Sequence, residues 1–69
     1  MHVTDRQAEI LALMAQGLTD KEIARRLGLT RGTVRTHVDR LFRDHGLRSR
    51  TEAVANWLEE RDRETATPP

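Results

Sequence analysis

Helix punctuation constrains this chain more than any other feature. Hydroxyl residues suited to N-capping stand at Thr4, Thr19, Thr30 and Ser49, where a side-chain oxygen accepts a backbone N–H of the first turn. Gln7, Glu22 and Glu52 follow three of them at the capping-box spacing. Gly17, Gly28 and Gly46 stand where a left-handed residue ends a helix. Together these signals predict four helices: Asp5–Gln16, Asp20–Leu27, Arg31–His45 and Arg50–Arg61. No segment alternates with period two, so no strand is predicted. The fold class that follows is all-α, a compact four-helix domain over residues 1–62. The polar stretch 63–69, which ends in two prolines, is expected to be a disordered tail.

A chain of 69 residues makes one domain at most, and one this short buries only about 60% of its unfolded surface. With no cysteine it has neither a disulfide framework nor a thiolate metal site. Its stability must come from helix packing and well-made helix ends. Helical spacing assigns Ile10, Leu11, Leu13 and Met14 to the core from the first helix, and Ile23, Ala24 and Leu27 from the second. The third adds Val34, Val38, Leu41 and Phe42, and the fourth Val54, Trp57 and Leu58 with Ala53 and Ala55 beside them. Leu18, Leu29 and Leu47 fill the corners from the turns. No apolar run is long enough to span a membrane, and the opening MHVTDRQ lacks a signal-peptide pattern. A cytoplasmic location is expected.

The net charge of +1 conceals an uneven distribution. Residues 19–50 carry nine Lys and Arg against four Asp and Glu, whereas residues 1–18 and 51–69 are each net negative. A basic band on a small domain is an electrostatic footprint for a polyanion. It coincides with TDKEIARRLGLTRGTVRTHV, two short amphipathic helices joined across Gly28. That is the layout of a helix-turn-helix, in which the second helix enters the DNA major groove.

On a helical wheel, Val34, Val38, Leu41 and Phe42 form the buried stripe of the third helix. Gly32, Thr36, Asp39 and Arg43 lie opposite, flanked by Arg35 and Arg40. Arginine pairs with the O6 and N7 of guanine, which makes Arg35 the foremost base-reading candidate, with Thr36, Asp39 and Arg43 on the same face. Asp39 is the exception, because phosphate repels a carboxylate. It must read a cytosine amino group, brace an arginine or point away, and its spacing from Arg35 favours bracing Arg35 or Arg43. Phosphate contacts are assigned to Thr19, Lys21, Thr30, Arg31, Thr33, Arg40 and Arg50, at helix starts and along the flank. Thr19 and Thr30 are capping residues first. His37 sits at the edge of the buried stripe, where a packed boundary histidine and a phosphate contact are equally consistent. His37 and His45 are too far apart along one helix, about 12 Å, to share a metal. No metal site and no cofactor are assigned.

In combination, VTDRQAEIL, QGLTDKEIARRLGL, TRGTVRTHV and LRSRTEAVA resemble the LuxR-type (GerE-like) DNA-binding domain from Val3 to about Leu58. The resemblance implies a bacterial transcription regulator whose third helix reads the major groove and whose fourth supports dimerisation. It puts base readers at Arg35, Thr36 and Asp39, and backbone contacts near Lys21, Thr30, Thr33, His37 and Arg50. Asp39 departs from the basic or small polar residue often seen at that position. Ala53, Trp57, Leu58 and Arg61 are the expected dimer surface, because one helix cannot pack both of its apolar stripes into so small a core. The alternative is that Trp57 folds over the first helix and closes the core.

The partners that follow are double-stranded promoter or operator DNA, a second copy of the chain, and RNA polymerase. Two rival readings stand beside this one. A sigma-factor domain that reads the −35 element would share the helix-turn-helix and need no dimer, but the fourth helix counts against it. A helix-turn-helix interaction module without DNA binding draws support from Asp39 and the acidic C-terminal stretch. Catalysis is not expected: the chain has no glycine-rich phosphate loop, no cysteine and little room for a substrate pocket.

Overall fold

The computed structural model describes the backbone from His2 to Thr65 and side chains as far as Asp62. The elements are α1 (Asp5–Ala15), α2 (Asp20–Leu27), α3 (Arg31–His45) and α4 (Arg50–Thr65). α2 packs on α3, and α1 lies against both and also carries α4. The described part of the chain is therefore all-helical, as the punctuation requires.

The caps form as the sequence dictates. Thr4 Oγ1 accepts the Gln7 N–H at 3.1 Å while Gln7 Oε1 accepts the Thr4 N–H at 3.0 Å. That reciprocal bond explains why Gln7, a polar residue, is buried. Thr19 and Glu22 make the same box. Thr30 Oγ1 accepts the Thr33 N–H, and Ser49 Oγ accepts the Glu52 N–H, both at 3.1 Å.

The three interior helix ends share one closure. A glycine adopts positive φ, and the leucine after it returns its N–H to the carbonyl five residues back. The bonds are Leu18 to Leu13 (3.2 Å), Leu29 to Ala24 (2.8 Å) and Leu47 to Phe42 (2.9 Å). This is the long bond of the Schellman motif. It turns each leucine inward: Leu47 is buried, and Leu18 and Leu29 pack against the core.

The core comprises Ile10, Leu11, Leu13, Met14, Ile23, Ala24, Val34, Val38, Leu41, Leu47 and Ala53. α4 departs from the expected pattern. Ala53 has no exposed surface, Val54 and Trp57 pack on the core from its edge, and Leu58 is 43% exposed. The helix thus buries the Ala53–Trp57 side and leaves the Leu58 side outward, with Ala55 also exposed. The small Ala53 lets the α4 backbone come close to the core, and Leu58 then lies beyond the rim. α4 also continues to Thr65, four residues past the expected Arg61, since no glycine or proline interrupts the chain between Gly46 and Pro68. Residues 63–65 are accordingly helical, and the rest of the expected tail, 66–69, lies outside the described residues. No described helix is long and apolar enough to cross a membrane.

Gly28 closes α2 at φ +70°, and a Cβ built there meets nothing within 4 Å. Replacing it by alanine therefore costs only the left-handed backbone penalty, about 1–2 kcal/mol. A Gly28→Ala variant is expected to melt roughly 4–8 °C lower per kcal/mol lost, measured by circular dichroism.

Candidate nucleic-acid interface

Three helix starts converge on one side of the domain. The cap and first turn of α2 bring Thr19, Asp20 and Lys21, α3 brings Arg31, and α4 brings Arg50. With Leu18 they line an open depression of ≈ 530 Å³. A helix start presents unpaired N–H groups and a partial positive charge, which suits an anion. Here Lys21 and Arg31 add full charges, and both are exposed.

α3 runs outward from this point. Arg35, Thr36, Asp39, Arg40 and Arg43 are exposed, as are Arg31 and Thr33 at its start, while Val34, Val38 and Leu41 are buried beneath. The wheel thus located the outer face correctly. His37 is half-buried, as its boundary position requires. Arg40 and Arg43 line neither this depression nor the groove described next.

Hydroxyl geometry gives the threonines different jobs. Thr36 Oγ1 donates to the Gly32 carbonyl at 3.0 Å, so outward it offers only lone pairs and a methyl group. Thr30 Oγ1 donates to Thr33 Oγ1 at 2.9 Å. The Thr33 hydroxyl therefore keeps its own proton for an acceptor such as a phosphate oxygen.

Two ion pairs border a second groove of ≈ 350 Å³, lined by Asp20, Arg35, Val38, Asp39, Phe42 and Arg50. Arg35 Nε lies 3.6 Å from Asp39 Oδ1, and the two side chains are open to solvent at 72% and 59% exposed. Asp39 therefore braces Arg35, one of the two arginines its spacing allowed. Arg50 Nη2 donates to Asp20 Oδ1 at 2.6 Å, with Asp20 the less exposed partner.

The Asp20–Arg50 pair is the feature sequence reasoning missed. The guanidinium of Arg50, expected at a phosphate, is tied through Nη2 to the first residue of α2, thirty positions away. No local spacing signals such a pair. The only clue was opposite charge at the first positions of two helices.

Of the expected dimer residues, Ala53 is closed to solvent and Trp57 is half-buried against the core. Ala53 packs wholly and Trp57 partly within the monomer, and Leu58 and Arg61 are the exposed members of that set. The Arg61 guanidinium lies over the Trp57 ring, 5.8 Å from its centre. Leu58 remains outward beside Met14, Gly17, Leu18, Val54 and Ala55, in an apolar groove of ≈ 510 Å³ between α1 and α4.

A capped helix-turn-helix with a fourth helix behind it and basic side chains along the second helix of the motif defines a DNA-binding module of the transcription-regulator class. The model of the family "Bacterial regulatory proteins, luxR family" matches residues 1–56, and the chain belongs to that family. Among similar proteins are the nitrate/nitrite response regulator protein NarL of Escherichia coli K12, 47% identical over 56 residues, and the transcriptional regulatory protein LnrK of Bacillus subtilis, 42% identical over 54 residues. The DNA-binding transcriptional activator DevR/DosR of Mycobacterium tuberculosis is 41% identical over 52 residues. These matches take in 81%, 78% and 75% of this chain but only 26%, 24% and 24% of the relatives. The chain therefore spans about a quarter of their length.

The α2 cap also titrates. The Thr19 backbone N–H donates to Glu22 Oε1 at 2.8 Å. This bond, then the Thr19 side chain, then the charges of Arg25 and Arg26 hold the Glu22 carboxyl below its ordinary 4.5. Because the folded-state value is depressed, the stability Glu22 adds is present above about pH 4.5 and is lost as pH falls through the folded value. Glu22→Gln is expected to lower the melting temperature at neutral pH, and the gap to the parent should close on acidification below 4.5, followed by thermal melts across pH.

Proposed function

We propose that this domain binds double-stranded DNA sequence-specifically as a transcription regulator, with α3 in the major groove. Arg35, Thr36, Asp39 and Arg43 read base edges. Thr19, Lys21, Arg31, Thr33, His37 and Arg40 hold the flanking phosphates, joined by the backbone N–H of Thr30 and by the part of the Arg50 guanidinium that Asp20 does not engage. The observation that carries this reading is the convergence of three helix starts with Lys21 and Arg31 beside the open face of α3. A phosphate seated there aligns the duplex so that the exposed side chains of α3 meet the groove floor. Family membership supports the same reading and counts against the sigma-factor alternative.

The domain acts as a pair, each copy on one half-site, joined through the outward side of α4. Leu58 is the apolar centre of that surface and Arg61 stands near it; Ala53 and Trp57 are withdrawn from it by their burial. Two-fold pairing places two α3 helices about one helical turn apart on DNA. Binding to DNA as a regulator implies action in the bacterial cytoplasm.

Salt dependence tests the DNA reading. A protein that neutralises about six phosphates loses on the order of 10³-fold in affinity between roughly 50 and 200 mM salt. Titrating a labelled duplex by fluorescence anisotropy should show that decline, and Lys21→Ala or Arg31→Ala should each reduce the logarithmic slope by about 1. A flat response would leave the interaction-module reading in its place.

The pairing has its own test. Leu58→Glu alters an exposed position, so the unfolding free energy should change by no more than about 0.5 kcal/mol, as is typical of surface changes. Sedimentation on a two-half-site duplex should then show one copy bound instead of two. Single occupancy by the parent chain would refute the pairing.

A further inference from the structure

We propose that Arg35 and Asp39 act as one composite reading head for a guanine and a cytosine in adjacent base pairs. The proposal rests on the DNA reading above and specifies the sequence that α3 recognises.

Asp39 Oδ1 meets Arg35 at Nε. The two Nη groups at the far edge of the guanidinium remain available. That edge carries the paired donors that match the O6 and N7 acceptors of guanine in the major groove. Bracing at Nε therefore preserves the reading edge and limits the rotation of a long side chain that is otherwise 72% exposed. Less rotamer freedom is then lost when guanine is bound.

The carboxylate has spare capacity as well. Asp39 is 59% exposed and faces Arg35 through Oδ1 in an ion pair, 3.6 Å from Nε. An ionised carboxylate only accepts, so on the groove floor it needs a base amino group, either cytosine N4 or adenine N6. The adenine amino group is flanked by an acceptor on each side, its own N7 and the O4 of the paired thymine. The cytosine amino group has an acceptor on one side only, the guanine O6, and an uncharged C–H edge on the other. A carboxylate is repelled less at cytosine. The pair holds the two side chains side by side on the open face of α3, so the carboxylate addresses a base beside the one its arginine reads. Asp39 is then more than a repulsive charge. It admits the duplex only where an amino group answers it, which penalises other sequences.

Selection of bound duplexes from a random pool, run with the parent chain, Asp39→Asn and Arg35→Ala, tests this directly. The parent should select half-sites in which a fixed guanine neighbours a fixed cytosine. Asp39→Asn should keep the guanine and lose the cytosine, with adenine gaining in its place because an amide pairs with adenine N6 and N7. On single-substituted duplexes the parent's cytosine preference should be about 5-fold or more, falling to none in Asp39→Asn. Arg35→Ala should lose the guanine preference. Circular dichroism melts should coincide for all three, since both side chains are exposed. The proposal is overturned if Asp39→Asn binds every duplex more tightly with unchanged base preferences, or if the parent's selected sites lack the guanine–cytosine neighbours. Failure to enrich any sequence, with salt-insensitive binding, would overturn the DNA reading itself.

Discussion

Everything on the outer face of this domain depends on how its three interior helix ends are closed. At each end a glycine takes positive φ, the next leucine sends its N–H back five residues, and the leucine side chain turns toward the core. The closure does two things at once. It satisfies carbonyls that a helix end would leave bare, and it fixes the direction in which the chain leaves. With a hydroxyl cap two residues beyond the α1 and α2 glycines and three beyond the α3 glycine, each following helix starts from a defined place. A chain without disulfides needs this, because a small core alone does not determine the helix angles. The repeated closure sets where each helix begins, and the packing of the helices then brings the α2, α3 and α4 starts together on one side.

That convergence explains the electrostatics. Helix starts favour anions, and the chain sets both acidic and basic side chains among them. Asp20 at the first position of α2 is held by Arg50 at the first position of α4, tying two elements that are far apart in sequence. On α3, Asp39 engages Arg35. Exposed pairs of this kind contribute little to folding, about 0–1 kcal/mol. Their consequence lies in the surface they leave: two guanidiniums with fixed orientation and two carboxylates that oppose indiscriminate attraction to phosphate. The acidic residues that the sequence sets within the basic band are placed against its arginines in space.

Much of the fold was legible beforehand because its determinants are local. Thr4, Thr19, Thr30 and Ser49 cap within three residues, and the glycines act on the turn they end, so reading along the chain recovers α2 and α3 to the residue. The outer face of α3 was legible too, since Val34, Val38 and Leu41 bury one stripe and the rest follows from the helical period. α4 was not. Its two apolar stripes are equivalent in sequence, and only the approach of Ala53 to the core decides that the Trp57 side goes in and Leu58 stays out. The extension of α4 to Thr65 was missed because a polar stretch reads as tail when no core contact argues otherwise.

The sequence by itself determined the helices, their caps and the basic face, because each is set by contacts within about one turn of the chain. The luxR-type pattern is made of those same local signals. Tertiary structure alone decided which arginines are spoken for, which side of α4 is open and where the helix starts meet. Those outcomes depend on distances between residues as far apart as Asp20 and Arg50, and no local rule sets such a distance. It is the packing of four helices around Leu11, Ile23, Val34 and Leu41 that does so.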